Sequence, residues 1–137
     1  MLNRTTDNGQ QTTDNGQRTT VMEERRLENL EVWRDARVFV VEVYKMMESV
    51  KDYGFKDQIQ RAAVSIMNNI AEGFESGSDA AFVRYLNISK GSCSEVKSML
   101  YLCGDLQYCS TEQQKKLLQI LQSISNRIFK LIEYLKK

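Results

Sequence analysis

The sequence predicts an all-α protein, an antiparallel up-down-up-down four-helix bundle preceded by a disordered N-terminal tail. Three observations carry that reading. No proline occurs in the 137 residues, so nothing interrupts long helices. Apolar residues recur at i, i+3, i+4 and i+7 through four long stretches, the period of a helix with one buried face. The connections between those stretches are short, which suits antiparallel neighbours in a bundle. Runs of β-branched residues alternating with period two are absent. A hydrophobic share of 42% can close one core, and 27% charged residues suit a soluble surface.

Residues 1–28 read as the tail and 29–137 as the bundle domain. Within the tail, Arg4-Thr5-Thr6-Asp7-Asn8-Gly9-Gln10 is followed by Gln11-Thr12-Thr13-Asp14-Asn15-Gly16-Gln17 and then Arg18-Thr19-Thr20. The period is seven, but no apolar residue falls in it, so it is no coiled-coil seam. Such a composition buries nothing and is expected to stay disordered. A repeat this regular also fits a translated DNA repeat upstream of the true start, with Met22 as the initiator.

The first helix is expected over about Asn29 to Val50, with Leu30, Trp33, Ala36 or Arg37, Val40, Val43 or Tyr44 and Met47 on its buried stripe and Trp33 as the core anchor at one end. Tyr53-Gly54-Phe55 is expected to break the chain before a second helix that ends at Gly73, where glycine suits the position just beyond a helix C-terminus. That second helix buries Ile59, Ala62, Ala63, Ile66 and Ile70 and carries a polar stripe of Arg61, Ser65, Asn68 and Glu72. Ser78 or Asp79 caps a third helix running to about Leu106. Its centre, Ser89-Lys90-Gly91-Ser92-Cys93, is rich in small residues, and a close neighbouring backbone is the natural compensation for their poor helix propensity. Ser110-Thr111-Glu112-Gln113 reads as a capping box opening the fourth helix. Leu117, Leu121, Ile124, Ile128, Leu131 or Ile132 and Leu135 then form its stripe, with Lys136 and Lys137 at its end.

Several functions are disfavoured by composition. There are three cysteines and no histidine. The histidine-bearing motifs of a di-iron bundle are therefore missing, a zinc site lacks ligands, and no cofactor is implied. Ser65, Ser89 and Ser92 have no histidine base, and Lys90 is adjacent in sequence to Ser89, where helical neighbours do not face each other. The chain is read as not being an enzyme, and no small-molecule substrate is evident. Cys93, Cys103 and Cys109 read as reduced thiols. No apolar run approaches the roughly 20 residues that span a bilayer. The first twenty residues lack a secretory signal, so the expected compartment is the cytoplasm, with no membrane partner.

The segments Leu30-Glu31-Val32-Trp33-Arg34-Asp35-Ala36, Tyr53-Gly54-Phe55, Gln58-Ile59-Gln60-Arg61-Ala62-Ala63-Val64-Ser65-Ile66 and Asn69-Ile70-Ala71-Glu72-Gly73, with Phe82, Leu86, Lys90-Gly91-Ser92 and Glu95, are similar to the four-helix bundle family encoded within intervening sequences of bacterial 23S ribosomal RNA genes. That family is often labelled ribosomal protein S23. The likeness spans about residues 29 to 137. It implies a ring-like homopentamer and kinship with the accessory variability determinant of diversity-generating retroelements, a strongly basic pentamer that binds a reverse transcriptase and nucleic acid. The net charge of +1 departs from that relative.

Two sets of residues stand out as candidate sites. Arg61, Asn69 and Glu72 on the second helix, with Ser92 and Glu95 on the third, form either a buried polar network that fixes the bundle's register or the lining of a subunit interface or groove; the network is preferred. Lys115, Lys116, Arg127 and Lys130 make the last helix locally basic, and a ring multiplies such a patch into a possible nucleic-acid contact. An ordinary solvated face is the preferred reading of this patch, since charged residues usually sit on the surface. The preferred function is a homo-oligomeric helical scaffold that binds another macromolecule; the second reading is direct binding of ribosomal or retroelement RNA.

Overall fold

A computed structural model describes residues 25–137. The heptad repeat and the expected start at Met22 lie outside the described residues. A short 3-10 turn at Leu27–Asn29 leads into four helices, α1 (Glu31–Met46), α2 (Tyr53–Phe74), α3 (Asp79–Asp105) and α4 (Thr111–Leu135). Each packs on the next in the chain and α4 closes on α1, so that α1 and α3 stand at opposite corners.

Cross-helix contacts show the direction of each neighbour. Arg127, late in α4, meets Glu31 at the start of α1, while Lys116, early in α4, meets Glu42 farther along α1. Ser65 of α2 faces Ser92 of α3, and Ser89 reaches Ile66. Gln114 of α4 reaches back to Leu100 of α3. The helices therefore alternate up and down, and no strand occurs among the described residues.

Local chemistry starts three of the four helices. Asp52 accepts a hydrogen bond from Phe55 N–H at 3.2 Å, Ser78 accepts from Ala81 N–H at 3.1 Å, and Ser110 and Gln113 form the reciprocal capping box. Tyr53-Gly54-Phe55 is thus the first turn of α2 rather than a break: the Asp52 cap offsets the glycine. α1 ends at Met46, four residues before the expected boundary, and has no side-chain cap at its start.

Burial spaced alternately by three and four residues runs through every helix, as in coiled-coil packing. In α2 the sequence is Phe55, Ile59, Ala62, Ala63, Ile66, Ile70 and Gly73; in α4 it is Leu117, Leu121, Ile124, Ile128, Leu131, Ile132 and Leu135. The phase of α1 differs from expectation. Val32, Ala36, Phe39, Val43 and Met46 are its buried residues, whereas Trp33 is half-buried with the Arg37 guanidinium over its ring. Val38-Phe39-Val40-Val41 contains no polar residue to mark a face, so packing against α2 and α4 selects Phe39.

Gly73 lies inside α2, not beyond it. A Cβ there would come within 2.7 Å of the Phe82 ring and 3.2 Å of the Phe82 carbonyl oxygen. The glycine lets the start of α3 approach α2 directly after a tight turn.

Candidate functional site

The seam between α2 and α3 carries the polar groups of the interior. Ser65 and Ser92 share a 2.8 Å hydrogen bond between their hydroxyls. Asn69 Nδ2 donates to the Ser65 carbonyl at 2.9 Å and to Ser65 Oγ at 3.0 Å. Fully buried Ser89 donates to the Ile66 carbonyl at 2.9 Å. The hydroxyls thus satisfy one another and the facing backbone, which makes burial of these polar atoms tolerable. Their small size also brings α3 close enough to bond the α2 main chain. They are committed to packing.

Of the residues expected in a buried network, the structure places Asn69 and Ser92 in it and leaves the charged members out. Arg61 is exposed and pairs with Asp57 one turn earlier at 2.9 Å. Glu72 is exposed in an open groove beside Asn68, Glu75, Arg84 and Tyr85. Glu95 is exposed on the outside of α3. The physical reason is phase: each stands a step around its helix from the seam, where water solvates a charge at far lower cost than the interior. Ser65 and Ser89 complete the network instead. Their signal in the sequence was the cluster of small hydroxyl residues at matching positions on adjacent helices.

The basic residues of α4 divide into two pairs. Arg127 donates to Glu31 at 2.6 Å and lies 3.2 Å from Asp35, clamping α4 to the start of α1. Its hydrogen bond and charge hold the Glu31 carboxyl below the usual carboxylate range. Lys116 pairs with Glu42 at 3.4 Å. Their charges are largely neutralised by α1, so two of the four expected nucleic-acid contacts serve helix packing. Lys115 and Lys130 are exposed and make no ion pair with the described residues. Lys90 of α3 adds a further cation 5.8 Å from the Phe129 ring centroid.

Apolar side chains also face outward. On α1, Val38 is 57% exposed, and Val41 and Tyr44 lie along the same side. On α3, Ile88 and Leu102 are each seven residues from Glu95, so the three share a face at heptad spacing. Gly91 lies on that face, where an added Cβ would meet nothing within 4 Å. The expected compensation for the small centre of α3 is therefore divided: Ser89 and Ser92 support close contact with α2, whereas none of the described residues fills the space at Gly91.

Among the described residues, no cluster of three or more Cys, Asp or Glu side chains is arranged to hold a metal ion, and no helix is long and apolar enough to cross a membrane. The Cys93 thiol is pushed up to about 12 by burial, which suppresses the nucleophilic thiolate.

Comparison with known proteins agrees with this architecture. The family described as 23S rRNA-intervening sequence protein matches residues 28–130. A crystal structure of a protein of unknown function from the S23 ribosomal protein family of Bacteroides thetaiotaomicron superposes with a TM-score of 0.70 at 27% identity, covering 74% of this chain and 97% of that one. No curated protein matches.

Proposed function

The chain belongs to the 23S rRNA-intervening sequence protein family, and on that premise we propose that it is a non-enzymatic, homo-oligomeric helical scaffold whose assembled surface binds another macromolecule in the cytoplasm. The observation that carries the reading is the pair of outward apolar faces at opposite corners of the bundle. Among the described residues, Val38 and Val41 on α1, and Ile88 and Leu102 around Gly91 on α3, stay about half exposed. Joining an α1 face to an α3 face is a heterologous contact, and repetition of such a contact closes a ring when the rotation allows. Five copies is the number that the resemblance to the retroelement accessory protein implies. Gly91 supports close approach because it adds no side chain between two backbones.

Native mass spectrometry of the full chain tests the assembly. A mass of five subunits is expected, and a monomer at all concentrations overturns the scaffold reading. Direct RNA binding is the second reading, favoured by the family's description and by Lys115 and Lys130, whose charges no ion pair with the described residues offsets. RNA retention that falls steeply with ionic strength would favour it, since counterion release drives phosphate contacts. A reverse transcriptase or other protein held by apolar contacts would be far less salt-sensitive.

A further inference from the structure

The two seams that flank α4 are built differently. Ion pairs close the seam to α1, where Lys116 meets Glu42 and Arg127 meets Glu31 and Asp35. The seam to α3 holds an open groove of about 280 Å³, with buried Cys93 and Leu121 at its floor. Lys90, Ser94, Lys97 and Tyr101 follow one another along the α3 side. Phe129, Ser125, Gln122 and Leu118 follow along the α4 side. Both rows step by four, three and four residues, and they run antiparallel. At 1.5 Å per residue they match over about 16 Å. Opposite charges usually tie such neighbouring helices together. Here two lysines stand along the groove with no carboxylate in either row, and neither lysine makes an ion pair with the described residues.

An aromatic ring marks each end. Phe129 is 53% exposed, with the Lys90 ammonium 5.8 Å from its centroid, and Tyr101 is exposed to the same extent. Leaving two rings half in water forgoes apolar burial that would stabilise the bundle. We propose that this groove takes a single strand of nucleic acid, an inference that rests on direct RNA binding, the second reading above, and gives it a site built by α3 and α4 together. Bases supply faces for the two rings to stack on, and phosphates supply the negative charge that Lys90 and Lys97 lack. Ser94, Ser125 and Gln122 lie between, with hydrogen-bonding groups for base edges and sugars.

The lining separates this occupant from others. An amphipathic helix of a protein partner seats its apolar face in an apolar groove, and the middle of this one is serine, lysine and glutamine. A duplex keeps its bases stacked on one another and offers the rings no open face. Stacking on Tyr101 and Phe129 gives affinity with little sequence preference, because every base has a π-face. The two lysines add a salt dependence. Each phosphate contact to a single strand contributes about 0.7 to the slope of log affinity against log salt, so two contribute about 1.4.

Fluorescence anisotropy of a labelled oligouridylate, titrated with the full chain, tests the site beside the same strand annealed to its complement. The single strand is expected to bind and the duplex to bind far more weakly. Tyr101→Ala and Phe129→Ala should each weaken the single strand by roughly tenfold, the loss of one stacked base. Tyr101→Phe and Phe129→Tyr should keep wild-type affinity, and Lys97→Gln should lower the salt slope by about 0.7. All three positions are exposed, so circular dichroism of each variant should match the wild type. Equal affinity for the duplex, or alanine at both ring positions without loss, overturns the groove. If Lys115→Gln with Lys130→Gln then abolishes binding, direct RNA binding survives on other residues. If no oligonucleotide binds the wild-type chain, both fall. Polyglutamate bound in place of the strand also overturns the proposal and assigns the groove to an acidic protein.

Discussion

Tyr108 Oη donates a 2.7 Å hydrogen bond to Asp52 Oδ2, joining the loop before α2 to the loop before α4. The other Asp52 oxygen accepts from Phe55 N–H, so one carboxylate both caps α2 and holds the far loop. The Tyr108 bond, then the Phe55 N–H, hold the Asp52 carboxyl below its usual range, and the same bond raises the Tyr108 phenol.

These opposite shifts predict a stability profile that falls at both ends. A lowered carboxylate contributes stability above its unfolded pKa and loses it as pH drops through the folded value. A raised phenol contributes below its unfolded pKa, about 10, and loses its contribution as pH climbs through the folded value. Tyr108→Phe should therefore flatten both limbs. Urea midpoints across the pH range check this, and limbs as steep as those of the wild type would count against the bond.

Gly73→Ala should destabilise the bundle by roughly 1–3 kcal/mol, as overpacking does. The Cβ would press on the Phe82 ring and carbonyl and on Tyr85 Cβ, none of them the free end of a flexible chain. Urea denaturation measures the loss; an unchanged midpoint would mean that the two helices separate easily.

Gly91 should respond in the opposite sense. Gly91→Ala adds helix propensity worth about 0.5–1 kcal/mol and meets no neighbour among the described residues. Gly91→Arg should leave the fold intact and lower the native mass toward one subunit. An assembly of unaltered mass would place the interface on another face.

Gln107→Gly should stabilise the chain by about 1 kcal/mol, because a side chain in the left-handed region carries a steric cost that glycine avoids. Thermal unfolding under reducing conditions, with the cysteines as free thiols, is the measurement.

Neutralising α4 should separate packing from binding. Arg127→Gln breaks the clamp on Glu31 and Asp35 and should reduce the acid-limb stability that the lowered Glu31 carboxyl contributes above its unfolded pKa. Lys115→Gln with Lys130→Gln should leave stability nearly unchanged. If RNA is bound, this second variant should lose retention and show a shallower salt slope.

What the sequence disclosed depended on how local the cause was. The capping box at Ser110 and Gln113, the Ser78 cap and the stripe of α4 are each written within a few residues, and the structure contains them. The phase of α1 was hidden because Val38 to Val41 are all apolar, leaving tertiary packing to choose Phe39. Gly73 has a tertiary cause too: the ring it accommodates belongs to the next helix. In the polar seam, Asn69 and Ser92 were expected as network partners on neighbouring helices, and both belong to it through Ser65. Arg61, Glu72 and Glu95 could not be separated from them, because a step around the helix divides a buried position from an exposed one.

Leu30 at the start of α1 and Leu131 and Tyr134 near the end of α4 line one pocket, so the chain enters and leaves the bundle side by side. A short flexible peptide could bridge them, and new ends could be opened at exposed Gly77, between α2 and the Ser78 cap of α3, a circular permutation that keeps all four helices. Two fluorophores, one at each original end, would then report by energy transfer whether the first and last helices ever part.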